Sequence, residues 1–154
     1  MPDNLLEQLQ SAFPGAQVSE QGGFGPLVGL AAADALAAAC ETLARPEFGW
    51  DTVEDYTARD LGTSFELVLH LVSSADVRRR LTVKAPIARE TAQAPSLVSR
   101  FGCAEWYERE IFDLFGIRFD GHPDLRRILL PEDWSGHPLR KDYQDERLLR
   151  RPGN

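Results

Sequence analysis

Leu5, Leu6, Leu9 and Phe13 recur every three or four positions, the spacing of a helix with one apolar face. Asp3 or Asn4 stands ahead of them as a cap, and Pro14-Gly15 stops the run, so a short amphipathic helix is predicted there. Ala16 to Glu20 and Leu27 to Ala31 flank the turn-rich stretch Gln21 to Pro26 and predict a hairpin. A helix follows over Asp34 to Ala44, with Leu36, Cys40 and Leu43 on one stripe and Arg45-Pro46 at its end. From Trp50 the period shortens to that of a strand. Trp50 to Asp60 is rich in aromatic and β-branched residues. Ser64 to Ser73 puts Phe65, Leu67, Leu69 and Leu71 on one face and Val68 and Val72 on the other, the pattern of a central strand. In Arg80 to Ala85 the alternation turns Leu81, Val83 and Ala85 inward and Arg80, Thr82 and Lys84 outward.

Ala94-Pro95-Ser96 combines an extended residue before proline with a serine cap, predicting a short helix to Arg100. A longer helix is predicted over Ala104 to Phe115, closed by Gly116. Its apolar stripe reads Cys103, Tyr107, Ile111 and Leu114, leaving Glu105, Arg109 and Asp113 on a solvated face with Glu105 placed to pair with Arg109. Beyond it, Gly121, Pro123, Pro131, Gly136 and Pro138 interrupt any regular element, so only a brief strand at Arg126 to Leu130 is expected. The class is α+β: a small mixed or antiparallel sheet with helices packed on it and an extended C-terminal arm. Residues 1–135 are expected to form one domain and residues 136–154 the arm, which is poor in apolar residues and is expected to gain little from its own core.

A chain of 154 residues, 43% hydrophobic, is large enough to bury a core of its own. Its richest apolar run, Leu30 to Leu43, is broken by Asp34 and Glu41, and no membrane span is expected. The absence of Lys or Arg before Arg45 is unlike a signal or transit peptide, so the chain is expected to stay where it is made. The net charge of -7 is uneven: residues 1–66 hold 2 basic against 11 acidic groups, residues 67–154 hold 15 against 13. That balance speaks against nucleic acid as a partner. Cys40 and Cys103 belong to no metal or cluster spacing and are expected to be reduced and buried.

Gly22, Gly23, Gly25 and Gly29 do not form a nucleotide loop, and Pro26 removes an amide such a loop would use, so they predict a turn. Glu105, Glu108 and Asp113 with His122 or His137 are the candidates for a carboxylate-histidine metal or acid-base site, although neither the Glu-x-x-His nor the HExxH unit is present. His70, in mid-strand, is expected to be half-buried and hydrogen-bonded, and His122 and His137, each before a proline, are expected to anchor turns. Trp106, Phe112, Phe115 and Phe119 beside arginine suggest a partner surface. Arg118, Arg126, Arg127, Arg140 and Lys141 suggest an arm that offers planar cations to carboxylates of another subunit.

Three blocks in fixed order carry a resemblance. They are Glu108-Arg109-Glu110-Ile111-Phe112-Asp113-Leu114-Phe115-Gly116-Ile117, His122-Pro123-Asp124-Leu125-Arg126-Arg127-Ile128-Leu129 and Gly136-His137-Pro138-Leu139-Arg140-Lys141-Asp142-Tyr143. Together they resemble the signature of the 30 kDa, or C-type, subunit family of respiratory complex I, over about residues 27 to 143. The resemblance implies a structural subunit of the peripheral arm of a proton-translocating NADH-quinone oxidoreductase, on the cytoplasmic face of the bacterial inner membrane. It implies no catalytic, metal or cofactor site in this chain, with FMN, iron-sulfur clusters and quinone held by partner subunits. The partners implied are the quinone-site, D-type subunit and the iron-sulfur subunits. The interface is expected at Glu108, Arg109, Glu110, Asp113, Gly116, His122, Arg126, Arg127, His137, Pro138, Arg140, Lys141 and Asp142. The same blocks are similar to subunits of membrane-bound hydrogenases and ferredoxin-linked complexes. The close of the chain soon after the last block resembles a stand-alone subunit rather than a form fused to its D-type neighbour.

Overall fold

Period-two alternation along residues 52–88 gives the three long strands on which the molecule is built. The computed structural model describes residues 4–145. In it β1 (Gln17–Glu20), β2 (Pro26–Gly29), β3 (Thr52–Asp60), β4 (Ser64–Val72) and β5 (Arg80–Ala88) form one sheet in the order β1-β2-β5-β4-β3. β1 and β2 are the expected antiparallel hairpin, and β4 runs antiparallel to both β3 and β5. β2 and β5 are parallel, so the sheet is mixed.

One face of the sheet makes the core. Phe65, Leu67, Leu69 and Leu71 of β4 and Leu81, Val83, Ala85 and Ile87 of β5 are buried, as the alternation requires. Helices α1 (Leu5–Ala12), α2 (Leu36–Leu43) and α3 (Ala104–Phe115) sink their stripes into the same cluster, with Leu9, Leu36, Leu43 and Ile111 essentially inaccessible. Each such side chain contributes about 1.5 to 3 kcal/mol by leaving water.

The other sheet face is partly sheltered where a helix is absent. Thr82, expected outward in solvent, is buried: His70 Nδ1 lies 3.0 Å from its hydroxyl, and the Phe24 ring lies 5.8 Å from the imidazole. The glycine cluster makes that possible. Gly25 has φ 74°, and a Cβ there would collide with the Arg80 carbonyl, so only glycine lets the turn fold Phe24 back over the strands.

Other expectations are corrected. Ser96 to Arg100 is a turn and not a helix, because Pro95 is used in β6 (Gln93–Pro95), which pairs in parallel with β7 (Arg118–Asp120). Arg126 to Leu130 forms no strand. Cys40 is buried, its thiol pushed up to about 12 mainly by desolvation, but Cys103 is exposed at the start of α3. Asn4 makes no side-chain cap bond, and Asp3 lies outside the described residues, as do residues 146–154 of the expected arm.

Candidate functional site

Ala104, Glu108, Ile111 and Phe115, spaced three and four apart, turn toward the sheet and are buried, with Phe115 edge-on to Phe65 at 6.5 Å. Arg109 and Asp113, expected in solvent, are buried on the opposite side by residues 124–143, a strap with neither helix nor strand. The helix is thus covered from two directions, and its outward sector is Cys103, Trp106 and Glu110 with half-exposed Tyr107 and Leu114. The predicted stripe failed for a physical reason. The predicted stripe shares only Ile111 with the face toward the sheet, because a hydrogen-bonded carboxylate, Glu108, sits in that face, and the second face is covered by polar backbone, which matches charged side chains.

Asp113 is the centre of that second face. Its Oδ2 accepts the backbone N–H groups of Ile128, Leu129 and Leu130 at 3.1, 2.8 and 2.9 Å, and its Oδ1 accepts Arg127 Nη1 at 2.7 Å. Burial works to raise this carboxyl's pKa, but the hydrogen bonds from Leu130, Arg127, Leu129 and Ile128 outweigh it and hold the group below the usual carboxylate value. Arg127 also donates through Nη2 to the carbonyls of Trp134 and Gly136, each at 3.0 Å. Arg109 donates to the carbonyls of Arg126 and Arg127 at 3.2 and 3.1 Å and lies 5.3 Å from the Trp106 ring centre. The expected Glu105–Arg109 pair does not form.

The last carbonyls of a helix have no partner within it. Here the strap supplies donors: His137 Nδ1 to Asp113 O at 2.9 Å, Leu139 N to Leu114 O at 3.0 Å, and the Arg140 guanidinium to the carbonyls of Phe115 and Gly116. Burial, with the charges of Arg140 and Arg127 nearby, holds His137 below the ordinary imidazole value despite its bond to Asp113 O. Gly116 ends the helix at φ 70°, and a Cβ on it would stand 2.5 Å from the His137 ring and 2.7 Å from Arg140 Nη2.

A second aspartate fastens the strap's far end. Asp60, at the close of β3, accepts Lys141 N at 2.9 Å, Gly62 N at 2.7 Å and Arg89 Nη1 at 2.8 Å. Burial opposes ionisation, but these donors prevail and bring its pKa down to about 2. Arg89 also pairs with Asp142 at 2.7 Å, and the guanidinium groups of Arg89 and Arg140 lie 4.8 and 5.2 Å from the Phe65 ring centre. The expectation that the arm gains little from its own domain is therefore corrected through residue 143: it is held by polar pins rather than apolar contacts.

Glu108 faces the other way. It accepts the Ser96 hydroxyl and Leu97 N, both at 2.6 Å, has no ion pair among the described residues, and is raised above the usual carboxylate value, chiefly by desolvation. His122 sits between Glu105 O and Asp124 N, each at 3.0 Å, donating through Nε2 and accepting at Nδ1, and His70 takes the role expected of it, whereas the His137 ring, expected to anchor its own turn, bonds Asp113 O 24 positions away.

The proposed metal or acid-base grouping of Glu105, Glu108, Asp113 and His122 does not assemble. Glu108 points to the sheet, Asp113 to the strap, and His122 is used in a turn; among the described residues no three His, Cys, Asp or Glu gather as a metal requires. Of the residues expected at an interface, Glu108, Arg109 and Asp113 are buried inside the chain. Gly116, Arg127, His137 and Arg140 are engaged where strap meets helix, and Pro138 and His122 are half-buried. Glu110, Arg126, Lys141 and Asp142 are exposed, with Arg126 paired to Asp124. Sequence reasoning missed Asp60 and Arg89, whose partners lie far away along the chain, and the exposure of Leu129 (59%) and Leu139 (52%). Among the described residues no helix is long and apolar enough to cross a membrane.

Residues 30–147 match a family model described as the respiratory-chain NADH dehydrogenase 30 kDa subunit. The chain is 40% identical over 144 residues to the NADH-quinone oxidoreductase C subunit of Moorella thermoacetica, covering 92% of this chain and 95% of that one. It is 48% identical over 102 residues to the C subunit of the Trichlorobacter lovleyi enzyme, covering 64% of this chain but only 63% of the relative's length. Against the C/D subunit of the Escherichia coli enzyme it is 51% identical over 79 residues, 51% of this chain and 13% of that longer protein. Among solved structures, a trypsin-resistant fragment (1-134) of Nqo5 superimposes with a TM-score of 0.64 at 28% identity, over 79% of this chain and 97% of the fragment. A chain of the archaeal membrane-bound sulfane sulfur reductase superimposes with a TM-score of 0.79 at 23% identity, covering 92% of this chain and 84% of that one, and shares the fold.

Proposed function

The chain belongs to the 30 kDa subunit family of respiratory-chain NADH dehydrogenase, and from that premise we propose that it serves as a peripheral-arm subunit of a proton-translocating NADH-quinone oxidoreductase. Its part is structural. It holds no FMN, cluster or quinone of its own and supports electron transfer from NADH to quinone by joining the subunits that do. Its neighbours are the D-type, quinone-site subunit and iron-sulfur subunits, at the cytoplasmic face of the membrane. Relatives named as one continuous C/D subunit support the first of these neighbours.

The observation that carries this reading is how the charged blocks are used. Asp113, Arg109, Arg127 and Arg140 each bind backbone or one another within the chain, which fixes an irregular strap as firmly as a regular element. A rigid strap then presents Leu129 and Leu139, with Trp106 and Glu110 of α3, to a neighbour at little entropic cost. The interface is therefore proposed at Trp106, Glu110, Leu129 and Leu139, while the buried members of the motif hold that surface in shape.

The test is a strain lacking the gene. Membranes should lose NADH-quinone reductase activity and intact complex on native gels, and the full chain supplied in trans should restore both. The purified chain should show no flavin or cluster absorbance. Unchanged membrane activity without the gene, or a stoichiometric chromophore on the pure chain, overturns the reading.

A further inference from the structure

The arginines of the motif invite the idea that this protein offers cations to acidic neighbours, but their use inside the chain reverses the sign of what is left at the surface. Arg109 is buried against strap carbonyls, Arg127 is spent on Asp113, Arg140 on the end of α3, Arg126 on Asp124 and Arg89 on two aspartates. On the outward sector of α3 stands Glu110, with half-buried Glu105 at its rim, and on the adjoining part of β3 stands Asp55; none of the three forms an ion pair among the described residues. They lie beside an aromatic pair. Trp106 is 58% exposed, with Arg109 along its inner side, and the Tyr107 hydroxyl reaches toward Glu54 O at 3.4 Å. Tyr107 is raised above the ordinary phenol value by desolvation first and then by the charges of Asp55, Cys103 and Glu110, in keeping with carboxylates crowded beside the ring.

Resting on the interface proposed above, we infer that the neighbour seated on α3 is cationic: a segment bearing Lys or Arg beside an apolar pocket for Trp106. Glu110 lies one helical turn beyond Trp106, so a surface that covers the indole also covers the carboxylate. A carboxylate removed from water without a cation makes an interface unfavourable, and the arginines bonded to α3 and its strap, Arg109, Arg127 and Arg140, are already engaged within the chain. The partner must bring one. Lys141, exposed at the strap's far end, is left outside this requirement.

The test uses the tagged full chain expressed in its own deletion strain. The read-out is the amount of the chain retained in the complex isolated at increasing KCl. Glu110→Lys and, separately, Glu105→Lys should each reduce retention by about tenfold at low salt, because like charges then meet across the interface. Glu110→Gln should lose less and show a flatter salt dependence, since the screened attraction has been removed. Trp106→Ala should also reduce retention, and Lys141→Glu should be retained as the wild type is. Wild-type retention of both lysine variants, or loss confined to Lys141→Glu, overturns the inference while the proposed function stands. If the wild-type chain itself is absent from the complex, both fall. Melting curves of the purified variants guard against misfolding, because an exposed glutamate should leave them unchanged.

Discussion

Asp113 and Glu108 are carboxylates on one helix whose surroundings give them opposite responses to pH. Asp113 gathers three backbone donors and a guanidinium; Asp113→Asn strands Arg127 and weakens that set, and should cost roughly 3 to 5 kcal/mol in urea denaturation at neutral pH. A loss under about 1 kcal/mol would show that the strap is held by something else. Asp60 behaves like Asp113: its folded pKa is depressed to about 2, so its contribution is present above the unfolded value of about 3.9 and lost as pH falls toward the folded one. Asp60→Asn should lower the melting temperature at neutral pH yet converge with the wild type near pH 2. For Glu108 the folded pKa is raised, so stability is full below the unfolded value of about 4.3 and declines as pH rises through the folded one. Glu108→Gln keeps the shape and should therefore match the wild type near pH 4 and melt a few degrees higher near pH 8. A variant that melts lower at both values would mean that the ionised carboxylate is the stabilising form. At this scale the sequence named Glu108, Arg109 and Asp113 but put Arg109 and Asp113 in solvent, because hydrogen bonds to backbone leave no trace in residue type.

Among the elements, periodicity was a reliable guide wherever burial was against side chains. β4 and β5 came out with their apolar faces assigned, Thr82 apart, and α3 with its span and its glycine cap but not its buried face. The same reasoning predicted a strand at Arg126 to Leu130, where a bending backbone turns the N–H groups of Ile128, Leu129 and Leu130 to one carboxylate instead of to a neighbouring strand. It also missed β6 and β7, three residues each, which are too short for any period to show. Gly116 joins helix and strap in one atom's absence. Gly116→Ala forces a left-handed φ on alanine and drives a methyl group into His137 and Arg140, and should cost more than the ~1 kcal/mol of backbone strain alone. Denaturation midpoints decide it: a cost at or below the strain figure would mean the strap moves aside freely.

For the molecule as a whole, the α+β class and its mixed sheet were legible, whereas the closure of the arm onto the domain was not. Lys141 N reaches Asp60 across 81 positions, and no local signal anticipates such a bond. A chain ended after Ser135 loses the donors from His137, Leu139, Arg140 and Lys141, and should melt several degrees below the full chain when purified alone. Equal melting temperatures would return the segment to the status of a free arm. The parallel pairing of β2 with β5 has a different consequence, for the order of events in folding. Leu27 pairs with Thr82, 55 positions on, with the whole β3–β4 hairpin inserted between. During synthesis the β1–β2 hairpin must therefore wait with one edge open until β5 emerges, and contacts of such sequence separation form slowly. An unpaired edge held for that interval is a template for the wrong strand. The vulnerable moment for this protein thus falls before its core exists, when the first two of the five strands of its sheet have been made and the middle one, β5, has not.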